Sequence, residues 1–164
     1  MITTFLEMHE RPSLAFTRPR RAGMLLRLDE PSVGFYRFLH EGAGTPRSRR
    51  RLGPDDEAVF ERLTDEAVAV FVLFLGGAPA GFFELDMTVE DEVEVVHVGL
   101  LPEFRGRGLG KYVVATAVET AWDDEPSRVW TSADADDDPR GLLLYQWAGF
   151  TAYESREGSA GSEP

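Results

Sequence analysis

A glycine-rich turn between a strand-like segment and a helix-like segment is the feature that most restricts how this chain folds. The turn reads Arg105-Gly106-Arg107-Gly108-Leu109-Gly110. It follows Glu92–Leu100, whose alternating valines predict a strand, and leads into Leu109–Trp122, whose apolar residues share one helical stripe. The N–H groups of a helix N-terminus bind anions, and glycines let the backbone come close to a phosphate. The turn therefore predicts a pyrophosphate site.

Two familiar nucleotide-binding motifs do not fit this turn. A dinucleotide-binding G-x-G-x-x-G that starts at Gly106 requires a glycine where Lys111 stands. A Walker A loop requires Ser or Thr after that lysine, but Tyr112 follows it. Taken alone, the pattern is also compatible with an arginine-bearing surface turn that binds nothing.

The other segments alternate between predicted strands and helices. We expect strands at Met24–Leu28, Val68–Leu75, Gly81–Met87, Arg128–Ser132 and Phe150–Glu154, and helices after Pro31, after Pro54 and over Asp138–Ala148. A hairpin before the glycine turn and strand–helix crossovers after it predict an α/β sandwich with a central mixed, mostly antiparallel sheet flanked by helices. One domain is expected over residues 1–156, with a disordered polar tail over residues 157–164.

Composition restricts the partners of the protein. The sequence has 29 acidic and 17 basic residues and a net charge of −12, which disfavours binding to nucleic acid. It has no cysteine and no run of eighteen apolar residues, and Glu7 and Glu10 interrupt the region where a secretory signal would be apolar. We therefore expect a cytoplasmic protein without membrane contact. The acidity is compatible with the attraction of cationic amines or with a salt-adapted surface.

Metal binding is not expected from the spacing of the possible ligands. His9, His40 and His97 lack the spacing of metal sites, and Pro139 interrupts the calcium-loop pattern that begins at Asp134. The largest basic cluster is formed by Arg47, Arg49, Arg50 and Arg51. We expect this cluster to lie in a solvated loop. An interaction protein that binds an acidic partner through the loop is one alternative function.

Two motifs at the appropriate separation resemble the GNAT N-acetyltransferase superfamily. The first runs from Val98 to Arg105 and into Gly108 and Gly110, and the second is Asp138–Phe150 (DPRGLLLYQWAGF). The resemblance covers roughly residues 68–153. It implies a metal-free enzyme that transfers an acetyl group from acetyl-CoA to a primary amine of a small molecule or peptide, by direct attack. It also implies a possible homodimer. A non-catalytic acyl-CoA-binding or regulatory module on the same fold is the main alternative.

The resemblance also assigns roles to residues around the turn. The backbone of Val98–Leu100 would pair with the pantetheine arm. The backbone amides from Arg105 to Gly110 would hold the pyrophosphate. Tyr145 aligns with the family tyrosine that gives a proton to the departing thiolate, which suits a phenol that is protonated at neutral pH. The implied cofactor residues are Val98, Gly99, Leu100, Arg105, Gly106, Arg107, Gly108, Leu109, Gly110 and Asp138.

Glu94 stands where some family members place a general base on the same strand. A base is needed because an alkylamine is almost wholly protonated at neutral pH. Glu92, His97 and ordered water are the alternatives, and simple alternation puts His97 on the opposite face from Glu94 unless a β-bulge intervenes. Asp138 replaces the more usual asparagine, and since it precedes Pro139 we expect it to cap the following helix.

Overall fold

A seven-stranded sheet with helices on both faces organises the chain in this computed structural model, which describes residues 1–19 and 23–158. The elements in chain order are β1 (Ile2–Met8), β2 (Gly23–Arg27), α1 (Val33–Ala43), α2 (Pro46–Leu52), α3 (Asp56–Thr64), β3 (Val68–Leu75), β4 (Ala78–Asp86), β5 (Glu92–Leu100), a 3₁₀ turn (Pro102–Phe104), α4 (Gly110–Ala121), β6 (Arg128–Asp134), α5 (Pro139–Trp147) and β7 (Thr151–Glu157).

The strand order is β2-β3-β4-β5-β6-β1-β7. Every neighbouring pair is antiparallel except β5 and β6, which are parallel and are joined through α4. A parallel pair needs such a crossover, whereas β3 and β4 need only the Gly76-Gly77 turn. The predicted mixed, mostly antiparallel α/β sandwich is confirmed.

Two apolar clusters bury the two faces of the sheet. On one face α4 and α5 cover residues such as Phe83, Val95 and Val129. On the other face α1, α2 and α3 cover residues such as Val72 and Phe82. Because β3 is covered on both sides, all eight of its side chains are apolar, as the sequence VAVFVLFL indicates.

The arginine cluster does not lie in a solvated loop, so that prediction was wrong. It forms most of α2, which begins after Thr45, whose hydroxyl accepts a hydrogen bond from the Ser48 N–H at 3.0 Å. Pro46 occupies the first helical position, where its missing N–H costs nothing. Side chains of α2 then reach carboxylates on the sheet, which is what holds this short helix in place.

Both ends of the described chain lie in the sheet. β1, for which the sequence indicated no strand, pairs with β6 on one side and with β7 on the other. Glu157, expected in a polar tail, is the last residue of β7, and the Gly158 N–H donates to the Met1 carbonyl at 2.8 Å. Residues 159–164 of that expected tail lie outside the described residues. Across residues 1–19 and 23–158, no helix has the length and apolar character needed to cross a membrane.

Candidate active site

A gap opens in the sheet where β5 and β6 stop pairing. The parallel register joins Glu92–Val95 to Arg128–Thr131, and no pairs follow among the described residues. Beyond this point lies a cavity of about 370 Å³, which we call the strand-gap cavity. Its walls include His97 and Val98 from β5, Ser132 from β6, Arg47 from α2 and Tyr145 from α5.

A second cavity of about 360 Å³, the glycine-turn cavity, lies beside the turn between β5 and α4. The two cavities share Val98, Asp138, Gly141 and Tyr145 as lining residues, so they are adjacent, and we call the pair the cleft. Most of the predicted cofactor residues line the second cavity: Val98, Gly99, Leu100, Arg105, Gly106, Gly108, Leu109, Gly110 and Asp138. Arg107 lines neither cavity.

The backbone of the turn has the geometry of an anion cradle. Gly106 and Gly108 have φ values of +73° and +75°, where a side chain is strained, and no atom lies within 4 Å of a Cβ built on either. α4 begins at Gly110, its N-cap residue Leu109 makes no side-chain capping bond, and its first turn holds no acidic residue. The N-terminal N–H groups of a twelve-residue helix therefore face this cavity without a capping side chain. The turn fits a pyrophosphate.

The two arginine side chains of the turn are directed elsewhere. Nη2 of Arg105 donates to the carbonyls of Gly42 and Ala43 at 3.0 and 2.6 Å, so it caps the C-terminus of α1. The guanidinium of Arg107 lies 5.1 Å from the centre of the Phe104 ring. The cradle is thus made by backbone amides and the helix dipole, and the charge of Arg105 lies at the C-terminus of α1.

Tyr145 stands where the two cavities meet. Its ring packs edge-on against Phe150, with 5.7 Å between ring centres, which fixes the direction of the phenol. Burial raises the pKa of the Tyr145 phenol, and the nearby positive charge of Arg47 only partly opposes this. The phenol therefore stays protonated at neutral pH and can serve as a proton donor.

Asp138 caps α5. Its carboxylate accepts a hydrogen bond from the Arg140 N–H at 2.9 Å and forms an ion pair with the Arg140 side chain. It lies in the wall shared by the two cavities. The predicted capping role is confirmed.

A β-bulge decides which residues of β5 share a face. On β4, Glu84 pairs with His97, while the next residue, Leu85, pairs with Val95, so Val96 has no partner of its own. The extra residue resets the alternation and brings Glu94 and His97 to the same face, contrary to simple alternation. Glu94 lies outside the walls of both cavities, whereas His97 is in the wall of the strand-gap cavity.

The carboxyl group of Glu94 has a pKa near neutral pH. Burial is the main cause that raises the pKa of its carboxyl to about 7, and the charge of Asp86, opposite on β4, adds to the effect. The positive charge of Arg47 opposes it. A carboxylate with this pKa can take up and release a proton in the neutral range.

A buried polar network behind the cleft was missed from the sequence. Simple alternation along β4 puts Glu84 on the face opposite Phe83 and Leu85, yet its carboxylate has no exposure and binds both Tyr36 of α1 and Arg51 of α2. His40 and Ser48 continue the network to His97. A glutamate within the apolar segment GFFELD was the available signal, because a buried charge needs charged or hydrogen-bonding partners.

Comparison with known proteins agrees with this architecture. The model of the acetyltransferase (GNAT) family matches residues 35–150. A sequence search of curated proteins gave no match.

Solved structures share the fold at low sequence identity. A functionally unknown conserved protein from Staphylococcus epidermidis has a TM-score of 0.66 and 14% identity, over 94% of this chain and 58% of that chain. An aminoglycoside acetyltransferase from an uncultured soil metagenomic sample has a TM-score of 0.65 and 18% identity, over 87% and 97% of the two chains. Spermidine N-acetyltransferase from Vibrio cholerae, in complex with CoA and spermine, has a TM-score of 0.63 and 16% identity, over 79% and 80%.

The family match runs from α1 through the bulged strand and the glycine turn to Phe150, and it therefore includes every element that lines the cleft except β1. The chain belongs to the acetyltransferase (GNAT) family of acyl-CoA-dependent N-acyltransferases.

Proposed function

We propose that the protein transfers an acetyl group from acetyl-CoA to a primary amine by direct attack. The observation that carries the proposal is the pair of adjacent cavities with Tyr145 in their shared wall. An uncapped helix N-terminus with a glycine turn lies at one end, and Tyr145 lies at the junction with a second cavity. The turn from Arg105 to Gly110 would hold the pyrophosphate through its amides. The backbone of Val98–Leu100, which pairs with β4 on one side only, would hold the pantetheine arm.

The chain's own groups then move the protons. Acetyl-CoA supplies an acetyl group on a thioester, whose thiolate is a good leaving group. Glu94, directly or through water, takes a proton from the substrate ammonium, and the freed lone pair forms the N–C bond as the C–S bond breaks. Tyr145 gives its proton to the sulfur, and the second proton lost by the nitrogen restores the phenol. The products are an amide, a thiol and one released proton.

The similar structures support only a general class for the amine substrate. The similar structures include an aminoglycoside acetyltransferase and a spermidine acetyltransferase, and both names denote polyamine or amino-sugar substrates. The net charge of −12 is favourable for a cationic substrate in this protein. We therefore propose a small amine or a peptide amine as the partner.

Two alternatives are less well supported. A non-catalytic acyl-CoA-binding module has no need of a protonated phenol at the junction of two cavities. An acidic partner bound through the arginine cluster would have to compete with this chain's own carboxylates. Arg47 and Arg50 contact Asp134, and Arg51 contacts Glu84.

Calorimetric titration with acetyl-CoA tests the proposal. We expect wild type to bind and Gly108→Asp to lose binding, because both a side chain and a negative charge enter the cradle. Gly34→Asp is the matched control, since it adds the same group at an exposed glycine of α1 with open space around it. No binding by wild type would overturn the proposal.

Thiol release in the presence of amines separates the enzyme from the binding module. Tyr145→Phe should lower the turnover number by about 10²–10⁴-fold while leaving acetyl-CoA affinity unchanged, since only the proton is removed. Binding of acetyl-CoA without thiol release for any amine would favour the non-catalytic module.

A further inference from the structure

The strand-gap cavity has an apolar side, which lies beneath α5. Val98, Ala133 and Leu142 line the cavity and pack against the apolar cluster under α4 and α5. On β1, Thr4 pairs with Ala133, and alternation puts Ile2 on the same face of the strand. Both of these β1 residues also line the cavity. The α5 side of the cavity therefore presents mainly hydrocarbon.

The polar residues of the same wall are held by α2, on the other face of the sheet. Nη1 of Arg47 donates to the Val96 carbonyl of β5 at 3.1 Å, and its Nη2 donates to Ser132 Oγ of β6 at 2.7 Å. Nε2 of His97 lies 2.9 Å from Ser48 Oγ of α2. These groups bind one another across the gap between β5 and β6, so they form the α2 side of the cavity.

The order of residues along β5 shows which part of the cofactor would reach this cavity. In the proposed function, the pyrophosphate lies at the glycine turn and the pantetheine arm follows the strand backwards from Leu100 to Val98. Val98 and Tyr145 line both cavities, so an arm that leaves the glycine-turn cavity beside them enters the strand-gap cavity. The acyl group, which follows the sulfur, would then lie in the strand-gap cavity.

The strand-gap cavity is much larger than an acetyl group. Its volume is about 370 Å³, whereas a group of the size of a water molecule fills ~30 Å³. Ile2 at its wall is 53% exposed although its side chain is apolar. A longer hydrocarbon chain on the α5 side would cover part of this surface, and removing apolar surface from water is favourable. Size and lining both fit an acyl chain of more than two carbons.

We propose that the protein accepts short acyl groups longer than acetyl, such as propionyl and butyryl, and that the α5 side of the strand-gap cavity holds the chain. The chemistry is unchanged: the N–C bond forms, the C–S bond breaks, and the sulfur leaves as a thiol with the proton of Tyr145. The inference rests on the proposed function, since it takes the position of the cofactor from there.

Calorimetric titration with acetyl-CoA, propionyl-CoA and butyryl-CoA, without an amine, tests the inference. We expect the Kd of wild type to fall about fourfold for each added methylene, so that butyryl-CoA binds about 15-fold more tightly than acetyl-CoA. The heat-capacity change of binding should also become more negative along the series, because burial of apolar surface has that signature.

Ala133→Ile tests where the chain lies, because it fills the α5 side of the cavity from a strand position. It should reduce the preference for butyryl-CoA to about twofold or less. The affinity for acetyl-CoA should stay close to that of wild type, since Ala133 does not line the glycine-turn cavity. Ala152→Ile is the matched control. It adds the same group at an exposed position of β7 that lines neither cavity, so it should keep the preference.

Gly141→Leu is a second filling variant should Ala133→Ile not fold. No atom lies within 4 Å of a Cβ built at Gly141, and leucine favours a helix more than glycine does. Because Gly141 lines both cavities, only the ratio of the two affinities is compared, and it should fall as for Ala133→Ile. Gly34→Leu, at an exposed glycine of α1 with open space around it, is its control and should leave the ratio unchanged.

The possible failures of the inference and of the proposed function give different results. Equal or weaker binding of butyryl-CoA relative to acetyl-CoA by wild type would overturn the inference and leave the cofactor assignment standing. A preference for butyryl-CoA that survives both filling variants would also overturn it, because the chain would then lie outside the strand-gap cavity. If wild type bound none of the three thioesters, the inference and the proposed function would both be overturned.

Discussion

The phenol oxygen of Tyr36 lies 2.5 Å from Oε1 of Glu84, so a tyrosine of α1 donates a hydrogen bond to a carboxylate of β4 that has no exposure to solvent. Arg51 of α2 binds the other oxygen of the same carboxylate, with its Nε at 2.9 Å. One buried carboxylate therefore fixes both α1 and α2, and α2 lines the strand-gap cavity through Arg47. Removing a donor from it should be costly, because a buried charge that loses a partner is not rehydrated.

Arg51→Met should lower the free energy of unfolding by ~3–5 kcal/mol, because it strips the charge partner from Glu84. Tyr36→Phe removes one neutral donor and should cost less, ~1–3 kcal/mol. Urea unfolding measures both. Arg49→Met, at an exposed position of the same helix, should change the free energy by about 0.5 kcal/mol or less. Equal effects of Arg49 and Arg51 substitutions would contradict the role given to Glu84.

Acid should weaken the fold through the same carboxylate. Burial pushes the pKa of Glu84 upward, but the neighbouring His40, Arg51 and Tyr36 outweigh it and lower the pKa from 4.5 to about 2. A group with a depressed pKa stabilises the fold above its unfolded value, and this contribution is lost as the pH falls through about 2. Glu84→Gln should therefore show a flatter loss of stability between neutral pH and pH about 2 in thermal unfolding. An unchanged slope would be evidence against this linkage.

The pH dependence of kcat/KM should follow the ionisation of Glu94. The base must be ionised, so kcat/KM should rise as the pH increases through about 7. Asp86→Asn removes the second cause of the raised pKa and should move the midpoint to lower pH. Glu94→Gln should abolish this step and lower kcat/KM by about 10²–10⁴-fold, whereas Glu92→Gln on the same strand should keep the midpoint. A midpoint that survives Glu94→Gln would assign the proton to ordered water or another group.

The two arginines of the glycine turn should differ in what they stabilise. Arg105→Met frees two carbonyls at the end of α1, so we expect a loss of ~1–3 kcal/mol in the free energy of unfolding. Arg107→Met removes only the contact of an exposed guanidinium with the Phe104 ring, worth about 0.5–1 kcal/mol. Chemical unfolding of both variants makes the comparison. If Arg107→Met proved the more destabilising, the cap on α1 would not be the main role of Arg105.

The elements with local signals could be predicted from the sequence. The glycine turn, the apolar β3 and the capped α5 each carry their information within a short segment, and they lie close to the expected positions. β1 could not be found this way, since its partners Arg128–Asp134 and Thr151–Glu157 are more than a hundred residues away. The burial of Glu84 also escaped. Alternation along β4 shows which face of the strand carries Glu84. Only the docking of α1 and α2 shows that this face is covered.

The same limit applies to the candidate site. Tyr145 and the turn follow from spacing, whereas the shared face of Glu94 and His97 depends on a bulge at Val96 that no residue type announces. The position of Arg47 across the strand gap depends on where α2 docks. Sequence patterns therefore indicated the lining of the glycine-turn cavity better than that of the strand-gap cavity.

The insertion of β1 between β6 and β7 has a consequence for synthesis on the ribosome. Of the strands described, β1 is translated first, yet both of its neighbours are translated last. Until they emerge, the backbone of Ile2–Met8 has no native partner in the sheet. Non-local pairing of this kind is slow and leaves a strand edge open to other chains. A nascent chain arrested before β6 should therefore be the species that depends most on chaperones. We expect β1 to be the segment that the chaperones bind.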